Sequence, residues 1–207
     1  MRNWYSMQAL AAPNAAEISI YDEIGMWGVT AKQFISDLKA LGDVKDITVS
    51  INSPGGSVFD GLTIYNALRA SGANVTVKVM GIAASIASII AMAGKKIVMP
   101  ENSFMMIHNP LNVIYGNADD MREMADILDK VGSSLVATYV ARTGKSEEEV
   151  KALMDAETYM TAAEAKELGF ADEVIPAVEA KAAFEVDRLP EHIQAALRMK
   201  VEIKLEE

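Results

Sequence analysis

The stretch VMGIAASIASIIAMAG, residues 79–94, decides the fold, and it carries no charged side chain. Gly81 is expected to end a β-branched run, and the small and aliphatic residues after it predict a buried helix over 85–93. The stretch is shorter than the ~18 to 20 apolar residues that a membrane-spanning helix needs, so we expect a core helix and no membrane span. It nevertheless contains two hydroxyls, Ser85 and Ser88. A buried hydroxyl costs free energy unless it is hydrogen-bonded, so each is either a packing residue with local partners or is held for chemistry.

Short β-branched runs alternate with helical stretches on both sides of this segment. Strands are predicted at 17–21, 46–52, 75–80, 96–99 and 104–108, and helices at 30–41, 57–71, 85–93, 117–142, 146–154 and 161–169. Repeated strand–helix–strand units imply mostly parallel pairing through right-handed crossovers. The sequence therefore predicts an α/β fold.

The chain of 207 residues has room for one domain with an appendage. We predict an N-terminal segment over 1–16 and a main domain over 17–176. After Pro176 the composition becomes charged, which indicates a C-terminal appendage over 177–207. Within that appendage we expect one short helix that opens at Pro190, because proline is favoured in the first turn of a helix.

Composition excludes several classes of function. The net charge of −10 argues against nucleic acid as a partner, because phosphate binding requires clustered Lys and Arg. The absence of cysteine excludes disulfides, thiolate metal sites and a cysteine nucleophile, and it is compatible with the cytoplasmic location that we predict. The first residues, with one arginine and a short apolar patch, do not form a convincing signal peptide.

A glycine-rich turn follows the strand predicted at 46–52, in the sequence INSPGGS of residues 51–57. Pro54 stiffens the turn, and Gly55 and Gly56 permit backbone angles that other residues resist. A helix begins directly afterwards, so backbone N–H groups there could hold an anion. An isolated Pro-Gly-Gly is more often an ordinary strand-to-helix turn.

Ser85 is a candidate nucleophile because it lies at the start of a helix, where N–H groups are unpaired and the helix dipole favours negative charge. The spacing G-x-S-x-G of a nucleophile elbow is absent. The candidate base is His108, at the end of a buried strand, since the other histidine, His192, lies in the charged appendage. Taken singly, Ser85 and His108 are more typical of structural residues, and Ser88 is interpreted as structural.

Three motifs occur in order in one α/β domain: Asn52-Ser-Pro-Gly-Gly, Gly81-Ile-Ala-Ala-Ser and Met106-Ile-His-Asn-Pro. Together they resemble the proteolytic subunit of the Clp protease (ClpP), a family of serine peptidases with the ClpP/crotonase fold of β-α-β units and a long handle helix. The likeness runs from Glu17 to Val174. A looser likeness is to the ClpP-like proteins of phage and prophage head-gene clusters.

The resemblance implies a serine endopeptidase that cleaves extended or unfolded polypeptides through an acyl-enzyme. It makes Ser85 the nucleophile and His108 the general base. The backbone N–H groups of Gly56 and Ile86 would form the oxyanion hole, which agrees with the chemistry that acyl transfer requires. No metal or organic cofactor is implied.

The third catalytic residue is where the sequence departs from the family, which has an aspartate just ahead of an aromatic residue and a Ser/Thr-Ala helix start. Aligning Tyr159-Met-Thr-Ala with that pattern puts Glu157 at the aspartate position. Glutamate orients the histidine in some hydrolases. Asp155, two residues earlier, is the alternative acid.

The resemblance also implies stacked seven-membered rings, 14 subunits in all, with the helix over 117–142 as the handle through which rings meet. Its apolar stripe, formed by Met121, Met124, Ile127, Leu128 and Val131, suits either a partner or the chain's own core. The family works with an AAA+ ATPase, but we find no docking cleft and no match to the family's usual N-terminus, so that partner is doubtful. The phage-like proteins would instead cleave capsid or scaffold proteins without ATP.

Two other functions are weighed against the peptidase. A crotonase-type acyl-CoA enzyme also holds an oxyanion with backbone N–H groups, but it commonly relies on acids, and the pairing of Ser85 with His108 argues against it. A catalytically silent ring or scaffold protein of the same fold is favoured by the glutamate at position 157.

Overall fold

The computed structural model describes residues 5–10 and 14–177, which contain eight strands and six helices. The strands are β1 (Tyr5–Ala9), β2 (Ala15–Ile20), β3 (Asp46–Ser53), β4 (Asn74–Ala84), β5 (Lys96–Pro100), β6 (Phe104–Ile107), β7 (Thr158–Thr161) and β8 (Glu173–Ile175). The helices are α1 (Ala31–Ala40), α2 (Val58–Ala70), α3 (Ile86–Ala91), α4 (Ala118–Thr143), α5 (Glu147–Asp155) and α6 (Ala162–Glu167). His192 and the rest of the appendage predicted over 177–207, apart from Ala177, lie outside the described residues.

All eight strands belong to one mixed sheet with the order β1-β2-β3-β4-β5-β8, and β6 pairs with β4 and β7. Five pairings are parallel, while β1 with β2 and β6 with β7 are antiparallel. Parallel neighbours joined through helices are the arrangement that strand–helix alternation predicts. The α/β prediction is confirmed.

Strand β4 is longer than the predicted 75–80 and changes partner along its length. Its first part, around Thr76–Lys78, pairs with β5, and its last residues, Ile82–Ala84, pair with β6. The sequence-based expectation that Gly81 ends the strand is wrong. A Cβ at Gly81 would lie 2.5 Å from Asn52 Oδ1, which accepts a hydrogen bond from the Ile82 N–H at 3.1 Å. Glycine is therefore needed here for the close approach of a side chain from β3.

Three strands were not predicted: β7 and β8 have only four and three residues, whereas β1 alternates apolar and polar residues (YSMQA) and was missed despite that pattern. β1 lies inside the predicted N-terminal segment and pairs with β2, β7 pairs with β6, and the three-residue β8 pairs with β5. The strand predicted at 104–108 ends at Ile107, one residue early, so His108 follows the strand instead of closing it.

Helix α3 lies in the core, and all six of its residues are buried, which confirms the buried helix predicted from the apolar stretch. Phe34 of α1, together with Ile64 and Leu68 of α2, packs into the same cluster. Burial of this apolar surface drives the folding of the domain. Within residues 5–10 and 14–177, no helix combines the length and the apolar character that crossing a membrane requires.

Helix α4 is buried only in its C-terminal half, through Leu135, Val136 and Tyr139. A capping box formed by Asn117 and Asp120 starts the helix, and Gly144 ends it in the left-handed conformation. In the predicted apolar stripe, Val131 packs against the core, whereas Met121 is 51% exposed and Ile127 is 39% exposed. The N-terminal half of the stripe therefore does not pack on the chain's own core.

Candidate active site

The turn between β3 and α2 contains the two glycines of the first motif, at φ +99° for Gly55 and φ +140° for Gly56. A Cβ at Gly55 would lie 2.7 Å from Ser85 Cβ and 2.8 Å from the carbonyl oxygen of Ala84. A Cβ at Gly56 would lie 2.1 Å from the carbonyl oxygen of Ile24. Only glycine allows both the backbone angles and this close packing against Ser85.

Hydrogen bonds fix the turn on both sides of Gly56. The Ile24 N–H donates to the carbonyl oxygen of Gly55 at 2.8 Å, and the Ser57 N–H donates to the carbonyl oxygen of Ile24 at 2.7 Å. Ser57 caps α2 by accepting from the Asp60 N–H at 3.4 Å. Among the described residues, the Gly56 N–H has no hydrogen-bond partner, and Gly56 lines the same cleft as Ser85.

Ser85 connects β4 to α3 in an unusual backbone conformation, with φ 54° and ψ −130°. A non-glycine residue in such a region costs roughly 1–3 kcal/mol and persists only where its surroundings enforce it. The Ser85 N–H donates to the carbonyl oxygen of Met106 at 2.9 Å, which ties it to β6. The side chain is half-buried and faces a cleft.

His108 lies beside Ser85, with 2.7 Å between His108 Nε2 and Ser85 Oγ. The parallel pairing of β4 with β6, in which Ala84 is opposite Met106, brings the two residues together. When the imidazole carries its proton on Nδ1, Nε2 accepts the serine hydroxyl proton. This is the contact that a nucleophile and its general base require.

Neither candidate acid is hydrogen-bonded to this histidine among the described residues. The antiparallel register that pairs Ile107 with Thr158, extended by one residue, puts Glu157 opposite His108. Both carboxylates are exposed, and Asp155 accepts a hydrogen bond from Asn109 Nδ2 at 2.7 Å. Within the part of the chain that is described, no hydrogen bond joins His108 to either carboxylate. The identity of the third residue stays a prediction.

The cleft at Ser85 has a volume of about 360 Å³. Most of its walls are apolar or backbone, and it is lined by Pro54, Gly56, Val58, Ile82, Ala84, Ser85, Met106, His108, Pro110, Leu111 and Tyr159. Two larger clefts, between the ends of α1 and α2 and beside α4, contain no histidine. In the described residues no cluster of three or more His, Cys, Asp or Glu could hold a metal ion.

Sequence reasoning missed the partners of Ser88, which it interpreted as structural. The Ser88 Oγ donates to the carbonyl oxygen of Ser85 at 2.6 Å and lies 2.7 Å from the hydroxyl of Tyr139. Burial raises the pKa of Tyr139 well above its usual value, so the phenol is neutral. No local pattern relates residues this far apart in the chain, because their contact arises from the packing of α4 on α3.

The Clp protease family model matches residues 3–178. The chain belongs to the Clp protease family. Its three motifs therefore lie in a family domain that includes every described strand and helix, and the ClpP-type fold inferred from the resemblance is confirmed.

Relatives named ATP-dependent Clp protease proteolytic subunit support this assignment. The chain is 40% identical to the protein of Bacteroides fragilis over 134 residues, and this aligned region covers 63% of the chain and 64% of the relative. It is 37% identical over 134 residues to that of Porphyromonas gingivalis, covering 63% and 60%. To subunit 1 of Protochlamydia amoebophila it is 39% identical over 140 residues, covering 65% and 68%. The match spans less than two thirds of the length of the first two of these relatives.

Proposed function

We propose that the chain is a serine endopeptidase that cleaves extended or unfolded polypeptides through an acyl-enzyme. The observation that carries the proposal is the 2.7 Å contact between Ser85 Oγ and His108 Nε2, which lies beside the double-glycine turn formed by Gly55 and Gly56. Membership of the Clp protease family supports it. A serine needs a neighbouring base to become a nucleophile, and these two residues have the required geometry.

In the proposed reaction, Ser85 Oγ attacks the carbonyl carbon of the peptide bond while His108 Nε2 takes its proton. The tetrahedral intermediate collapses as the imidazolium gives that proton to the departing amine, which leaves an acyl-serine. Water, deprotonated by the same nitrogen, then attacks the acyl carbon, and the imidazolium returns the proton to Ser85 Oγ as the acyl–oxygen bond breaks, which releases the carboxylic acid product. The chemistry of each step is supplied by these two side chains.

The N–H groups of Gly56 and Ile86 are proposed as the oxyanion hole. The Gly56 N–H has no partner in the described structure, and Ile86 is the first residue of α3, where an N–H has no acceptor within the helix. Donors fixed in place before the reaction stabilise the developing charge without reorganisation. Removing one such donor typically costs ~2.7–4 kcal/mol of transition-state stabilisation.

Glu157 is the acid that we propose to orient His108, with Asp155 as the alternative. Glu157 has φ +47°, a conformation that costs a non-glycine residue free energy. A glutamate in this backbone conformation at an exposed turn favours a functional constraint there. Asp155 accepts a hydrogen bond from Asn109, the residue after His108, and as the alternative acid it would act by holding the His108–Asn109 segment in place.

The substrate proposal follows from the cleft. Its walls, among them Val58, Ile82 and Leu111, favour an apolar side chain next to the scissile bond. The looser likeness to phage proteins adds the finer proposal that capsid or scaffold proteins are the natural substrates and that no ATPase is needed. An AAA+ ATPase partner has no support in the described residues, although the relatives' names include "ATP-dependent".

We further propose that the chain forms stacked rings through α4 and acts in the cytoplasm. The exposed Met121 and Ile127 support self-association, because apolar side chains that do not reach the core gain free energy when a partner covers them. Rings of this kind would enclose the Ser85 clefts, so that only unfolded chains reach them.

Labelling with a fluorophosphonate tests the proposal. We expect a covalent adduct on Ser85, located by peptide mass spectrometry, that disappears in Ser85→Ala and His108→Ala. Ser133→Ala, which changes an exposed serine on α4, is the matched control and should label like wild type. Glu157→Gln should slow labelling more than Asp155→Asn. An unlabelled wild-type protein would support the silent scaffold, and binding of CoA would support the acyl-CoA enzyme.

A further inference from the structure

A buried pair of hydroxyls links helix α4 to the backbone of Ser85. The Tyr139 hydroxyl lies 2.7 Å from Ser88 Oγ, which lies 2.6 Å from the carbonyl oxygen of Ser85. Ser88 is fully buried and Tyr139 is 1% exposed. The reaction proposed above uses neither side chain.

The direction of these hydrogen bonds follows from the number of protons available. A carbonyl oxygen can only accept, so the single hydroxyl proton of Ser88 points to Ser85. The Tyr139 hydroxyl must then donate to Ser88 Oγ. The carbonyl oxygen of Ser85 also accepts from the Ser88 N–H at 3.0 Å, so it is held by two donors from one residue.

The carbonyl of Ser85 belongs to the same peptide unit as the N–H of Ile86. A peptide unit is planar, and its C=O and N–H point in opposite directions in the trans form, which all described peptide bonds adopt. Holding the oxygen against Ser88 therefore fixes the direction of the Ile86 N–H. The strained φ of 54° at Ser85 makes such a restraint necessary, because the relaxed backbone would rotate this plane.

We propose that Tyr139 and Ser88 are positioning residues that orient the Ile86 N–H toward the substrate oxyanion. This inference rests on the proposed serine peptidase function. Tyr139 acts through Ser88, and Ser88 acts through the peptide plane between Ser85 and Ile86. Tyr139 contacts Ser88 from the buried half of α4, so the placement of that helix affects how well the oxyanion hole is aligned.

Substitution of Tyr139 or Ser88 is expected to lower the rate less than removal of an oxyanion donor does. Loss of one donor costs about 10²–10³-fold in kcat, whereas a donor that remains but is less well aligned loses part of that factor. We expect Tyr139→Phe to lower kcat by about 10-fold, and Ser88→Ala by up to about 10²-fold. KM should change little, because the interaction strengthens only in the transition state.

The experiment compares the full-length wild type with Tyr139→Phe, Ser88→Ala and the double variant, by fluorophosphonate labelling rate and by kcat and KM on an ester substrate. Phe in place of Tyr139 keeps the ring that packs edge-on against Phe170, with 5.6 Å between centroids. The matched control, Phe170→Leu, disturbs this packing without touching either hydroxyl. Ser88→Thr, which keeps the hydroxyl, should restore most of the rate.

Because Tyr139 acts only through Ser88, the double variant should be no slower than Ser88→Ala. The proposal is overturned if Tyr139→Phe keeps the wild-type kcat, if the two substitutions multiply, or if Phe170→Leu lowers kcat as much at equal thermal stability. If wild type itself neither labels nor turns over the ester, the proposed function has failed, and this inference fails with it. Normal wild-type labelling with an unaffected Tyr139→Phe refutes the positioning role alone.

Discussion

Gly55 offers the sharpest test of how the double-glycine turn positions Ser85, the proposed nucleophile. In Gly55→Ala, the new Cβ would lie 2.7 Å from Ser85 Cβ and 2.8 Å from the carbonyl oxygen of Ala84. Carbon atoms in contact are normally ~3.5–4.0 Å apart, so Ser85 or the turn must move by about 1 Å. A displacement of about 1 Å in a catalytic group can cost ~10²-fold in rate. We therefore expect fluorophosphonate labelling of Ser85 to slow by about 100-fold.

The same substitution also strains the backbone, so the effect of this strain has to be distinguished from the effect of the clash with Ser85. Gly55 has φ +99°, so alanine costs roughly 1–3 kcal/mol there. Gly72→Ala is the matched control, since Gly72 has φ +73° and an added Cβ would meet no other atom within 4 Å. We expect Gly72→Ala to lower the free energy of unfolding in urea by ~1–2 kcal/mol and to label at the wild-type rate. Equal labelling rates for the two variants would refute the argument that close packing holds Ser85 in place.

Two further predictions concern stability and assembly. Burial raises the pKa of Tyr139 above its usual ~10, so above pH 10 the phenol ionises more readily in the unfolded chain than in the folded one. The stabilisation that the neutral phenol gives the folded state is therefore complete below about pH 10 and is lost as the pH rises further. The urea midpoint of wild type should therefore fall more steeply above pH 10 than that of Tyr139→Phe, and parallel curves would contradict this. Met121→Lys places a charge on the exposed stripe of α4 and should lower the particle mass measured by light scattering. The control Ala137→Lys, on another exposed face of the same helix, should leave that mass unchanged. An unchanged mass in Met121→Lys would exclude that stripe as the interface.

The parts of the fold that were predicted correctly depend on local signals. Helix α3 follows from an unbroken apolar stretch, and the helix predicted from residue 161 begins there with a capping box formed by Thr161 and Glu164. Gly81 was misjudged because its role depends on Asn52, which lies on the neighbouring strand. A glycine in a strand pattern marks either a break or a close approach, and the sequence alone does not distinguish the two.

The candidate site was predictable only in part, for the same reason. The resemblance selected Ser85 and His108, and the structure adds the pairing of β4 with β6 that brings them to 2.7 Å. The two candidate acids, Asp155 and Glu157, are exposed residues just ahead of β7, where neither burial nor periodicity marks one carboxylate over the other. Tyr139 could not be found at all, since its hydroxyl matters only once α4 packs on α3.

The partner change of β4 explains why the site forms where it does. Because β5 pairs only with the first part of β4, the last residues of β4 remain free to pair with β6, whose end leads to His108. Between the pairs Ile51–Val79 and Ser53–Ala83, β4 contains two more residues than β3, so the register of the two strands shifts there, and the turn that follows β3 packs Gly55 against Ser85. Both irregularities lie just before Ser85, so His108 and the double-glycine turn approach Ser85 from the two strands that flank β4, which are β6 and β3. The change of partner and the register shift, both in β4, are therefore the structural basis of the candidate site.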